Sequence, residues 1–263
     1  MASDSRFNPT PIAAAKGAVL VETAGQGVRR IYADWMVSTL REFHQAPKGE
    51  RPLLFDFLGK PVCLESSMFD VLGTAYERYV PEETRPLFRD AIGDALSSIA
   101  SEPHLPESVM AFDDLIHLVG EIKPTEALTP MVAAVGDGEI GRRAKRLLKD
   151  TIRALAMFSS PDENDIVTRV IAFQATNRLL NSPNFDNDFI FAVTEVMVSC
   201  DPQFAIDTVR KYADRFVQSR EKYGSAGGRL QARYERALKH WINNLTAANP
   251  SVLTPEVLSI VRG

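Results

Sequence analysis

Residues Leu115 to Phe158 read LIHLVGEIKPTEALTPMVAAVGDGEIGRRAKRLLKDTIRALAMF, and the fold turns on how they are taken. On both sides of two breaks, apolar residues recur at the i, i+3, i+4, i+7 steps that place them on one face of an α-helix. At the second break stands Gly136-Asp-Gly-Glu-Ile-Gly141, a G-x-G-x-x-G string. After a strand and before a helix, such glycines let a pyrophosphate approach the backbone at a helix N-terminus. Three features oppose that setting here. Asp137 and Glu139 would put two negative charges beside the phosphates. The apolar spacing after Gly141 continues as one helix to Phe158, leaving no second strand to carry a ribose-binding acid, and no alternating βα pattern follows. The glycines are therefore expected at a corner between two helices, with no cofactor.

Working outward from this stretch, the same helical period recurs along the chain. Toward the N-terminus, Val28, Ile31, Tyr32, Trp35, Thr39 and Phe43 form one face, and Pro47 ends it. Met68, Leu72, Ala75, Tyr76 and Tyr79 form another, closed by Pro81. Leu87, Phe88, Ala91, Ile92, Ala95, Leu96 and Ile99 make a wide apolar stripe, and Val109, Phe112, Leu115, Ile116, Val119 and Ile122 a further one. Beyond Phe158, helices are expected at about 162–181, 186–199, 202–219 and 226–247, with a short last one from Pro255. Ser160-Pro161-Asp-Glu163 has the form of a capping box, and Asp201-Pro202 and Thr254-Pro255 pair a cap residue with proline at the first helical position. Glu82 and Glu83 fall in a first turn, where negative charge offsets the helix macrodipole. Only residues 47–64, with three prolines around Leu58-Gly59-Lys60, break the pattern, as a short β-hairpin or an irregular loop. Residues 1–24 read as a tail or arm and 25–263 as a single all-α domain.

Composition sets the outer limits. The chain has 263 residues, 45% hydrophobic and 24% charged, enough for a substantial core. Cys63 and Cys200 lie far apart in apolar surroundings and read as buried reduced thiols, not as a disulfide or zinc site. No apolar run approaches the ~18 residues of a membrane span, and Ala18–Val21 is too short for a signal-peptide core. A soluble cytoplasmic protein is expected, with no membrane partner. The formal charge of −4 hides a split: residues 1–140 carry 21 acids against 12 Lys/Arg, and 141–263 carry 13 against 18. Such a bipolar chain can self-associate head-to-tail or offer a basic surface to an acidic partner.

Two observations together point to a repeat architecture. Pro124, Pro161 and Pro202 stand 37 and 41 residues apart, with a weaker break between each pair. From Val119 to Val135 the chain reads VGEIKPTEALTPMVAAV, with small Gly120 at a helix end, then Glu126-Ala127-Leu128, then Pro130 before an apolar run. This segment resembles a HEAT-repeat linker and second helix. Asp137–Ala144 is similar to the start of the next repeat, although Gly141 sits where an arginine is usual. The resemblance, to the HEAT/armadillo-like family of α-solenoids, is best over 112–158 and elsewhere rests on the period alone. It implies a degenerate HEAT-like solenoid with a continuous core and an extended binding surface.

Catalytic signals are thin. His44, His104, His117 and His240 are scattered; Asp114 and His117 form a lone i, i+3 pair expected to be a local hydrogen bond. Asp186-Asn-Asp188 opens like a calcium loop, but Ile190 fills a ligand position and the required glycine is missing, so a helix cap is expected. No nucleophile-elbow or phosphate-cradling glycine motif occurs. What stands out is basic surface. Arg142, Lys145, Arg146, Lys149 and Arg153 lie opposite Ile140, Ala144, Leu147, Thr151, Leu155 and Phe158 on a helical projection. Arg229, Arg233, Arg236 and His240 make a second stripe. Each stripe reads either as a solvated helix face or as a binding face for an acidic or extended protein, which makes the chain a non-enzymatic interaction scaffold or adaptor. The alternatives are a nucleic-acid-binding helical-repeat protein, opposed by the acidic chain and the lack of interleaved aromatics, and an enzyme whose site is assembled from residues that no motif connects.

Overall fold

Every regular element among the described residues, which are 18–47, Tyr76, 82–223 and 228–248 of the computed structural model, is helical. The hairpin-or-loop region 47–64, the helix carrying Met68 to Tyr79 and the segment from Pro255 lie outside these residues, save for Pro47 and Tyr76. No described helix is long and apolar enough to cross a membrane. The helices are α1 (Ala18–Gln45), α2 (Arg85–Ala100), α3 (Pro106–Ile122), α4 (Leu128–Gly136), α5 (Glu139–Arg143), α6 (Arg146–Met157), α7 (Ile166–Leu180), α8 (Ile190–Cys200), α9 (Pro202–Tyr223) and α10 (Gly228–Ala248). The chain divides into two compact units: residues 1–158 with 178–185, and residues 159–177 with 186–263.

In the first unit α2 packs against α1, α3 and α4, while α6 packs against α3 and α4. The apolar period explains why. Phe88, Ala91, Ile92, Ala95, Leu96 and Ile99 of α2 are all sealed from solvent, as are Phe112, Leu115, Ile116 and Val119 of α3. Prolines sit in the first turns of α2 and α3, where no intrahelical N–H partner is lost. The face of α1 is rotated from its expected position. Ile31 is half exposed, and Tyr32, Ala33, Met36, Val37, Leu40 and Phe43 form the buried side. Helix α1 also starts at Ala18, ahead of the periodic pattern at Val28. Gly120, expected at a helix end, lies within the last turn of α3; Lys123 closes that helix in the left-handed conformation at φ 52°.

The second unit is built on α8, α9 and α10, with α9 packed against both others. Val198, Ala205, Val209, Tyr212, Ala213, Phe216, Leu238, Trp241 and Ile242 form its core. Phe173 of α7 meets Phe204 edge-on at 5.1 Å within the same unit. Two helix starts show which sequence signals act as caps. Asp201 accepts the Gln203 N–H at 2.8 Å ahead of α9, as its Asp-Pro pair implies. The box at Ser160–Glu163 does not cap α7. That stretch is a turn, and Asp165 caps instead, accepting the Thr168 N–H at 2.7 Å. This hydrogen bond holds the Asp165 carboxyl below its usual range. Asp186 likewise accepts from the Asp188 N–H, capping the short 3-10 turn Asn187–Phe189.

Candidate functional site

The G-x-G-x-x-G string lies at a helix–helix corner. Met131–Val135 belongs to α4 rather than to a strand, Asp137 and Gly138 form the turn, and α5 begins at Glu139. A Cβ on Gly141 would lie 1.7 Å from the Val135 carbonyl oxygen, and one on Gly138 would lie 2.6 Å from the Ala134 oxygen. The glycines thus admit backbone against backbone. Asn184 completes the corner from 49 positions along the chain: its side-chain amide donates to the carbonyls of Val135 at 3.2 Å and Gly138 at 2.9 Å. Its backbone N–H reaches the Gly136 oxygen at 3.0 Å, and Arg178 pairs with Asp137 at 3.0 Å. The carbonyls and glycines of the string are engaged by the fold itself.

The expected unbroken helix to Phe158 is interrupted. Ala144 adopts φ −134° and ψ 75°, ending α5, and α6 starts at Arg146. The reason is the corner: the tight turn at Gly138 and the contact at Gly141 set the direction of α5, while Leu147, Thr151, Leu155 and Phe158 must still enter the core. The first basic stripe is consequently split, with Arg142 on α5, Lys145 in the junction, and Arg146, Lys149 and Arg153 on α6. All five are exposed. Three face acids nearby: Arg142 lies 3.5 Å from Glu139, Arg146 3.1 Å from Asp113 and Arg153 3.3 Å from Asp150.

Asp113 ties this stripe to α3. Burial pushes its carboxyl up, Arg146 and His117 pull it down, and Asp150 and Asp114 push it up again. The expected Asp114–His117 bond is not formed. His117 lies 3.9 Å from Asp113, and Asp114 contacts His44 Nε2 of α1 at 2.5 Å, both of those side chains largely buried.

The second stripe stays on one helix. Arg229, Arg233, Arg236 and His240 are exposed along α10, and the last three line an open cleft of about 440 Å³. Across the cleft stand Asp188 and Glu195; its floor is Phe191, Ala192, Ala237 and Trp241. Two cross-cleft pairs exist: Arg233 with Asp188 at 3.9 Å, and His240 Nε2 with Glu195 at 2.8 Å. The Arg233 guanidinium also lies 5.8 Å from the centre of the Phe191 ring. Arg236 donates its Nε–H to the Ala232 carbonyl at 3.2 Å, and no carboxylate pairs with it among the described residues. Within the floor and behind it, Phe191 meets Tyr212 and Tyr234 edge to face, and Tyr212 meets Tyr234 and Trp241 likewise, the last pair 5.1 Å apart. Arg229 does not line the cleft.

The sequence placed Arg233, Arg236 and His240 together, and missed the apolar floor and the acidic wall. The signal for the floor was available in the i, i+4 series Arg233, Ala237, Trp241, which sets a small residue between a cation and a large ring on one face. No comparable local signal pointed to Phe191, Ala192 and Glu195, because only tertiary packing brings α8 beside α10. The chain matches no family model, no curated protein and no solved structure.

Proposed function

We propose that this all-helical protein is a non-enzymatic interaction scaffold or adaptor, built as a degenerate HEAT-like α-solenoid and binding an acidic or extended protein partner. The observation that carries the reading is the cleft of the second unit, where three members of a basic stripe border an apolar floor. Such a combination suits protein recognition, because apolar area supplies affinity while a cation without a carboxylate partner in the cleft selects an acidic group on the partner. The repeat part of the reading is supported within the first unit. There α2 contacts both its successor α3 and the next pair's α4, and α3 contacts α6, the neighbour-on-neighbour order of stacked helical pairs.

The direct test displays peptides of varied charge against the purified full-length chain. Acidic sequences should be enriched, and Arg233→Glu with Arg236→Glu should remove the enrichment at unchanged helicity. A peptide selection indifferent to charge contradicts the reading. Retention on DNA or heparin that falls steeply with salt would favour nucleic-acid binding in its place, since phosphate contacts release counterions.

A further inference from the structure

We infer that the cleft between α8 and α10 takes one carboxylate and one adjoining large apolar side chain of a peptide, with Arg236 as the anion's partner. The inference rests on the protein-binding role proposed above and names the chemistry of its ligand. Charge complementarity carries it. Of the three basic residues lining the cleft, Arg233 and His240 are matched by Asp188 and Glu195, whereas Arg236 has no carboxylate partner among the described residues. An incoming carboxylate can therefore pair with Arg236 without dissolving an existing ion pair. Asp188 and Glu195 also oppose a strongly acidic ligand, so a single negative charge fits better than a run of them.

The apolar half of the ligand is set by the floor. Ala192 on α8 and Ala237 on α10 are small, only partly covered and line the cleft. Phe191 is partly covered too, and the buried Trp241 closes the bottom. A large apolar side chain inserted there replaces water over an aromatic base, which is favourable in proportion to the apolar area covered. Selection for the pair of features, an acid beside a large apolar residue, follows from two adjacent subsites in one cleft, the cation on α10 and the floor shared by α8 and α10.

The experiment uses short fluorescent peptides in a neutral Gly/Ser background, carrying Glu-Phe, Gln-Phe or Glu-Ala, titrated against the full-length chain. Glu-Phe should bind saturably, and each of the other two should bind at least about tenfold more weakly, as loss of a charge-assisted hydrogen bond or a buried ring implies. Arg236→Gln should abolish the preference for Glu over Gln while leaving the preference for Phe over Ala. Ala237→Leu fills the floor and should remove binding at unchanged circular dichroism; Ala192→Leu does the same from the opposite wall should the first variant fold poorly. Binding of Glu-Phe that survives both filled variants, or a Glu preference that survives Arg236→Gln, overturns the site while leaving acidic-peptide binding elsewhere intact. Absence of binding by any acidic peptide overturns the protein-binding role and the site together. Displacement of Glu-Phe by a single-stranded oligonucleotide at lower concentration than by unlabelled Glu-Phe overturns the inference in favour of a phosphate ligand.

Discussion

The basic stripes of α5–α6 and of α10 look alike in sequence and end differently. On the first, the glycine corner diverts the chain at Ala144, so Arg142 is separated from Arg146, Lys149 and Arg153, and acids on α3, α5 and α6 lie against three of the arginines. On the second, one uninterrupted helix carries every member, and the acids opposite stand across a cleft rather than beside the charges on the same surface. The second stripe borders an apolar cleft and includes Arg236, which no carboxylate pairs among the described residues, and the proposed peptide site rests on those two features.

Substitutions at the two places should separate them, and the largest difference is steric. Gly141→Val would drive a side chain into the Val135 carbonyl, and backbone cannot yield as a flexible side chain does. It should destabilise by about 3 kcal/mol or more in denaturant unfolding. Ala237→Leu, facing open cleft, should cost about 1 kcal/mol or less. Equal costs would mean that the corner is as tolerant as the cleft. Next in size, Leu147→Ala empties a fully buried site directly beneath the first stripe and should cost about 2–5 kcal/mol. A Leu147→Ala protein unfolding at the wild-type midpoint would contradict the placement of α6.

Charge reversal sharpens the comparison at smaller magnitude. Arg146→Glu sets a negative charge beside Asp113 and should cost about 1 kcal/mol by thermal unfolding while leaving acidic-peptide affinity unchanged. Arg236→Glu should shift stability by less than about 0.5 kcal/mol and lose the peptide. The opposite assignment of binding loss would transfer the interface to the first stripe. The smallest effect belongs to Cys200. Burial pushes its thiol up to about 12, Arg169 pulling it down and Asp201 pushing it up. Because the folded value lies above the unfolded one, the stabilising contribution is complete below about pH 8.5 and is lost as pH rises through the folded value. In native protein at pH 8, peptide mapping after iodoacetamide should show Cys200 unmodified, and in urea fully modified. Rapid native labelling would show that the site opens readily.

Sequence alone determined that these segments are helical, because an apolar period of about 3.6 reports a buried helix face, but not the break at Ala144, the early start of α1 or the rotation of its face. The stripe from Leu87 to Ile99 and the series from Val109 to Ile122 were legible, save that Leu87 and Val109 are only partly buried. It also determined that the glycines mark a corner, since no strand pattern surrounds them. Caps were half legible. Asp201 and Asp186 act as their spacing implies, while Asp165 displaced the box at Ser160–Glu163 because a helix starts where a side chain meets a free N–H in space.

Tertiary structure alone decided the rest. The break at Ala144 lies just past a corner that Asn184 holds through Val135 and Gly138, and no local signal encodes a partner 49 positions away. The exchange of Asp114 from His117 to His44 has the same origin: two residues on one helix were in reach of each other, and a third on another helix came nearer. The cleft likewise needed α8 beside α10. Helical periodicity points to the buried face of most of these helices, though not of α1, and it is silent on which neighbour covers that face and where the covering stops short.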